Sequence, residues 1–512
     1  MYFTIIAAVH IPYIQSTLGN KISDALEQKL GTRVRVARID VGFLNRIIID
    51  GVIICDKSGK TMLKASRLAA KIDYYELIRH GRIYISSAQV FGLNGSFYCK
   101  DAQSKPNYQF MLDSLASKDT TSKSSVELSI SSLIIRHGAI KYDRYDVAPT
   151  PKQFNTAHID VRDISAHFVI PYYNKENIIA EVKKLSLTEH SGLNLNNLTF
   201  KLKAGADGAE LKDFELKSNK TAFYINQLKA IYKMNNGKII ANSLRWNGEI
   251  GRSVINPSDF GTLVPALTKI DIPVIIKSSF NGTDNSIFIK DIAVNTSDNV
   301  LALTASGSLT DLKNPVWHVD VRKFRCDIPK VERIASSLIN EITIPEFVKK
   351  LGVVHYNGRF AGNKHKFETT GTIASDAGTM AFEMSKNGRQ IVADLNAKSI
   401  DLHNITGNTS FGEVACKLSG KASLPDKGLM PEKADLKGTI SRFDYNGYTY
   451  RNIAVSGLYD TGLFDGLLAL DDNNGRMNVE GMLLTKGVPS LRRPTFPSFS
   501  IPLPSPPTLP ST

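Results

Sequence analysis

One six-residue unit constrains this chain more than its length does. An apolar residue, two polar residues and then apolar-x-apolar recur as Val161-Arg-Asp-Ile-Ser-Ala166, Leu195-Asn-Asn-Leu-Thr-Phe200, Leu211-Lys-Asp-Phe-Glu-Leu216, Ile289-Lys-Asp-Ile-Ala-Val294 and Tyr450-Arg-Asn-Ile-Ala-Val455. Looser copies lie at 85–90, 130–135, 182–187, 225–230, 321–326 and 440–445. Strict alternation puts every second side chain on one face of a strand, so two consecutive polar residues shift the phase by one. A bulge or a tight bend must absorb that shift. Repeated along the chain, the unit predicts a mainly β protein built as an elongated, curved, repetitive β-sheet groove. One of its faces is apolar and the other polar, and an N-terminal helix and a few short helices accompany it. Separate sandwiches sharing the same turn chemistry are the competing architecture, and against them only one clear polar gap, Ser114 to Ser125, interrupts the pattern.

Between the units, turn residues cluster as Asp56-Lys-Ser-Gly59, Asn235-Asn-Gly237, Lys386-Asn-Gly388 and Asp472-Asn-Asn-Gly475. Helical spacing is sparse. Val331, Ile334, Ala335, Leu338 and Ile339 predict a helix over 329–340, and 345–351 adds a turn that Gly352 stops. At the N-terminus Ile14, Leu18, Ile22, Leu26 and Leu30 recur every fourth residue before the stop signal of Gly31. Ile5, Ile6 and Val9 belong to an apolar run preceding this stretch, about half as long as the roughly 20 residues of a membrane span. The run reads either as the tail of a membrane anchor that begins upstream of Met1 or as an ordinary buried N-terminal helix. At the other end, 8 of the 21 prolines fall in the last 24 residues, a density that no sheet or helix survives. That tail reads as a frameshift or a Pro-rich linker. The expected organisation is an anchor and helix over 1–30, a first β region over 31–112, a polar loop over 113–125, a repetitive β groove over 126–486 with a helix near 329–351, and the tail over 487–512.

No chemistry announces itself. Ser58-Gly-Lys-Thr61 lacks the first glycine of a phosphate loop, since Ile54 stands there, and strand-like residues follow it. Histidines are scattered and the four cysteines, Cys55, Cys99, Cys326 and Cys416, form no C-x-x-C pair. Catalytic residues, metal ligands and cofactors are therefore expected to be absent. The excess of 63 Lys+Arg over 49 Asp+Glu gives a net charge of +14, which favours anionic partners. Its cations alternate with apolar residues along strands, as at Lys201, Lys203, Lys229 and Lys233, and do not cluster with aromatics on a recognised module, so nucleic acid is not expected.

The stretch Gly42-Phe-Leu-Asn-Arg-Ile-Ile-Ile-Asp-Gly51-Val-Ile-Ile-Cys-Asp56-Lys-Ser-Gly59-Lys-Thr-Met-Leu63, followed by Ala65, Leu68, Ile72, Leu77, Gly81, Ile83, Ile85, Val90 and Gly92, resembles the N-terminal region of AsmA/TamB-like proteins. The likeness is strongest to the long TamB-like members of Bacteroidota and extends more loosely to about residue 486. It implies an inner-membrane-anchored, mostly periplasmic protein of the Gram-negative envelope, whose β groove passes phospholipid towards the outer membrane. For the TamB branch it also implies partnership, through a C-terminal region, with a BamA-like (TamA-like) outer-membrane barrel. The residues support a groove separately, because an amphipathic sheet without covering helices must curl on itself or hold something apolar. Candidate liners are Val34, Val36, Leu198, Phe200, Phe214, Leu216, Ile292 and Val294. Two other functions remain open: a scaffold that docks a barrel-assembly factor through sheet edges without carrying lipid, and a polysaccharide-binding β protein, against which the presence of only two Trp speaks.

Overall fold

The computed structural model describes residues 12–42, 46–73, 83–116, 128–173, 177–235, 238–338, 344–425 and 431–484. Ile5, Ile6 and Val9, the tail 487–512 and most of the polar loop lie outside the described residues. The chain is mainly β and divides into two compact units, Met1–Lys277 and Ser278–Thr512.

The first unit begins with helix α1 (Pro12–Leu30) and the antiparallel strands β1 (Val34–Gly42), β2 (Arg46–Cys55) and β3 (Thr61–Ile72). Among the described strands β1 pairs with β2 alone, which leaves a row of its backbone groups to be satisfied otherwise. α1 satisfies them. The Val36 N–H donates to Ser23 Oγ and the Val34 N–H to Glu27 Oε1, each at 2.9 Å. A Cβ on Gly19 would stand 2.9 Å from the Val36 carbonyl oxygen, so the helix approaches the strand closely there. The helix ends at Gly31, whose φ of 62° is left-handed, and Lys57 Nζ donates to the terminal carbonyls of Leu30 and Gly31.

This role changes which face of α1 is buried. Apolar spacing points to Ile14, Leu18, Ile22, Leu26 and Leu30, yet of these only Leu30 is buried, beside Gln15, Gly19 and Ser23, and Ile22 is 38% exposed. A helix laid on a strand edge needs a small residue for approach and oxygen acceptors for the strand N–H groups. Bulk hydrophobic side chains supply neither.

Strands β4 (Ile83–Phe91) and β5 (Asn94–Cys99) both pair antiparallel with β3 and parallel with Ser132–Arg144. They act as one strand broken at Gly92, where φ is 59° and an added Cβ would collide with the Ser66 side chain. The parallel pairing requires a crossover, and helix α2 (Gln109–Ala116) lies within it. From there the unit is a meander of Ser132–Arg144, His158–Tyr173, Ile178–Glu189, Asn197–Gly205, Gly208–Lys217, Ala222–Ile231 and Arg245–Ile255, each antiparallel to the one before.

The second unit continues the same plan by itself. Its strands run from Ser286–Thr296 to Gly475–Leu484, each antiparallel to the next. Three short helices, α3 (Ile328–Leu338), α4 (Glu346–Lys349) and α5 (Leu402–Thr406), sit in connections. Gly352, with φ of 62°, follows α4 where the sequence places a stop.

His158 fixes one hairpin end of the first unit. Its Nδ1 lies 3.0 Å from Asp143 Oδ1 and its Nε2 lies 2.7 Å from the Val147 carbonyl, so both ring nitrogens face acceptors. The Asp143 hydrogen bond and then the Val147 carbonyl raise the imidazole pKa above its ordinary value, against some loss from burial and from Lys141, which pairs with Asp143.

Two outcomes are expected. Gly19→Ala should lower stability in urea melts although alanine favours a helix by about 1 kcal/mol, because the Val36 carbonyl must move; a gain would refute the close approach. Because the folded pKa of His158 is raised, its contribution is complete below the ordinary value of 6.5 and is lost as pH rises through the folded value. The melting temperature of the native chain relative to His158→Gln should therefore fall between pH 6 and 8, and parallel curves would count against the doubly bonded imidazolium.

Candidate functional site

The repeated unit matters because of what the sheet does at its two polar residues. In His158–Tyr173 the register slips between Arg162 and Ser165, and Asp163 has φ of 54°. In Gly208–Lys217, Asp213 has φ of 52°, and Asp213 and Phe214 together oppose Phe200. Asn452 has φ of 52°, and the strand Ser286–Thr296 slips between Ile289 and Ile292. Asp and Asn tolerate the left-handed region better than other side chains, which accounts for their place in the unit. The same slip recurs at Val321/Phe324 and Ala397/Ile400. His137, with φ of 54°, marks a further slip after Ile135 that the spacing did not single out, since Gly138 lengthens the interruption.

The slip returns the next apolar residue to the side its predecessor occupied. Val321 stands opposite Ala305 and Gly358, and Phe324, beyond the bulge, stands opposite Leu303 and Tyr356. One face of the second unit therefore stays apolar across the bulge row. Towards the other strand ends, Leu395 opposes Leu418, Gly420 opposes Leu436, Leu436 opposes Gly457, and Tyr459 opposes Phe464. Large and small residues alternate between neighbours. The Phe464 ring lies across Gly457 and Gly466, and Tyr356 lies across Gly358 and Gly371, positions where any side chain would collide with the ring.

This face is not covered as a core would be. Ile391, Ala393, Leu395, Leu418, Leu436, Val455 and Tyr459 are half-buried, whereas Asp394, Asn396, Lys417, Asp435, Lys437 and Ser456 on the opposite face are exposed, apart from pairing within the sheet. Ile391, Ala393, Leu395, Leu418, Leu436, Tyr459 and Phe464 line a shallow concavity of about 350 Å³. Beyond the bulge row the face turns aromatic: Phe443 stacks on Tyr445 with centroids 6.1 Å apart, and Tyr448 meets Tyr450 edge-on at 4.7 Å.

The eight candidate liners fall into two groups. Leu198, Phe200, Phe214 and Leu216 are half-buried in the first unit, where Phe200 and Phe214 stack at 6.2 Å and Phe223 joins them edge-on. Ile292 and Val294, opposite Ala305 and Leu303, lie on the apolar face of the second unit. Val34 and Val36 are different: at 2% and 3% exposure they are buried where α1 crosses β1, so they belong to the core and not to an open face. The residues of the concavity escaped the sequence reading because Ile391 to Ala397 and Leu436 to Ile440 carry plain alternation without the six-residue unit.

Other chemistry finds little footing. Ser58-Gly-Lys-Thr61 forms the β2–β3 turn, in which Asp56 Oδ1 accepts from the Ser58 and Lys60 N–H groups and Oδ2 from the Tyr98 hydroxyl at 2.8 Å. Burial alone would raise the Asp56 pKa, and the hydrogen bonds from Ser58, Tyr98 and Lys60 outweigh it, so the group is held below its ordinary value. All four cysteines are free thiols, and Cys416, opposite Ala397 and Ile440 on the apolar face, has its pKa raised by burial. Among the described residues there is no group of three or more His, Cys, Asp or Glu able to hold a metal ion, and no helix long and apolar enough to cross a membrane. No family model, curated protein or solved structure matches the chain.

Asp213→Val should destabilise the protein by about 1–2 kcal/mol in denaturant melts, and Asp213→Asn by much less, because only valine resists the left-handed backbone. Equal effects of the two would detach the bulge from the choice of residue.

Proposed function

We propose that the chain is a lipid-conduit protein of the Gram-negative envelope, holding phospholipid acyl chains against the apolar face of its β meander. In this reading it is anchored in the inner membrane, works mostly in the periplasm and serves outer-membrane biogenesis, as the AsmA/TamB resemblance implies. A BamA-like barrel would be its partner through a further C-terminal region. The observation that carries the proposal is the half-exposed apolar face of the second unit, continuous across the bulge row and presented by a single sheet. Apolar surface of this extent is unusual on a protein that meets only water. An acyl chain laid on it gains about 0.8 kcal/mol for each buried CH₂, so many methylenes hold a lipid without a dedicated polar site. A non-enzymatic role is part of this reading.

The chain purified without detergent should carry phospholipid detectable by mass spectrometry of an organic extract. Leu418→Asp with Leu436→Asp should deplete it, since each change puts a carboxylate on the face at a cost of several kcal/mol against a bound chain. Native Cys416, kept as the sole thiol, should react more slowly with a water-soluble maleimide when lipid is present. Lipid-free protein with an intact fold would overturn the conduit and favour a scaffold that docks an assembly factor through its sheet edges.

A further inference from the structure

Both ends of the strands in the second unit carry charged turns. At one end Asp298, Asp376, Asp401 and Asp472 each accept a local backbone N–H, from Val300, Val353, Asn404 and Arg451 respectively. At the other end two adjoining turns carry Lys364, His365 and Lys366, and then Lys386 and Arg389. The turns touch directly, through the Gly388 N–H to the His365 carbonyl and the register of Lys366 with Asn387. Arg389 is engaged with Glu432 and the Leu424 carbonyl. Among the described residues Lys364, Lys366 and Lys386 have no carboxylate within ion-pair distance.

Lys386 differs from the other two in its position. It stands opposite Phe367 on one side and Ile391 on the other, in the row of the apolar face, and it is half-buried. A lysine in such a row lays its stem along apolar neighbours and carries its ammonium to the rim. Ile391 also lines the concavity. The rim therefore joins cations with open hydrogen-bonding capacity to apolar surface.

We propose that this rim is the headgroup subsite of the conduit: the phosphodiester of a phospholipid sits at the Lys386 ammonium, with Lys364 in the adjoining turn, while its acyl chains run from Ile391 across the apolar face. The inference rests on the acyl-chain reading above and adds orientation to it. An ammonium at the end of the apolar row favours lipids with net negative charge over zwitterionic ones of the same chains.

The test compares two probes carrying the same fluorescent acyl chain, phosphatidylglycerol and uncharged diacylglycerol, on the full chain. Lys364→Gln/Lys386→Met, which removes the charges and adds no carboxylate to the apolar face, should weaken phosphatidylglycerol at least about tenfold, the scale of a lost charged hydrogen bond, and leave diacylglycerol unchanged. Lys386→Met alone should shift phosphatidylglycerol in the same direction and serves if the double variant does not fold. Equal affinity of native and folded variant chains for phosphatidylglycerol, or equal losses for both probes, would overturn the subsite while leaving the conduit standing. Failure of both probes to bind the native chain would overturn the conduit itself. Tight binding of inorganic phosphate alone would also overturn the subsite, since the acyl chain would then play no part.

Discussion

Two consecutive polar residues cannot stand in a regular strand without turning every following side chain to the other face. The chain meets this constraint strand after strand with a slip in register, and at His137, Asp163 and Asp213 the slip carries a left-handed residue. A left-handed residue costs about 1–2 kcal/mol, less for Asp and Asn, so its recurrence at Asp163, Asp213 and Asn452 marks a position the fold needs. The benefit is a face that remains apolar on both sides of the slip, as Val321 and Phe324 show. The polar pair meanwhile turns to solvent, where Arg162 and Arg322 find carboxylates at Asp160 and Asp291, and Asp213 meets Lys201 of the neighbouring strand.

A sheet with one apolar face and no second layer draws its cohesion from backbone ladders and cross-strand pairs. Its buried apolar residues are correspondingly few and small in the second unit, with Val300, Ala302, Ala305, Val321, Ala377, Ala397 and Ile453 among them. Aromatic rings laid over glycines replace part of the missing layer. The first edge is a separate hazard, and α1 answers it by accepting hydrogen bonds from the Val36 and Val34 N–H groups at Ser23 and Glu27.

The strand content and the bends at Asp163, Asp213 and Asn452 were legible because both follow from local alternation. The helices α3 and α4 were equally legible, since Val331 to Leu338 and Gly352 carry ordinary helical punctuation, whereas α2 and α5 are too short to leave a periodic trace. The buried side of α1 was not, because its task is to accept hydrogen bonds from a strand edge, and apolar spacing does not report that. The parallel pairing of β4 and β5 with Ser132–Arg144 depends on a long crossover that leaves no periodic trace. Val34 and Val36 looked like groove liners because alternation places residues on a face without saying whether another element covers it. The concavity around Leu395, Leu418 and Leu436 emerged only once register set three unremarkable strands side by side.

Within each meander a strand pairs with the one made just before it, so every newly added segment meets a finished template next to it in the chain. Such a chain can order itself progressively from its N-terminal side, with short loop closures throughout. It also has a simple rule for changing length. Loss or gain of two strands keeps direction, face and bulge row in step, whereas loss of one reverses the direction of all that follow. A protein of this kind can be lengthened or shortened in hairpin-sized increments without redesigning either face.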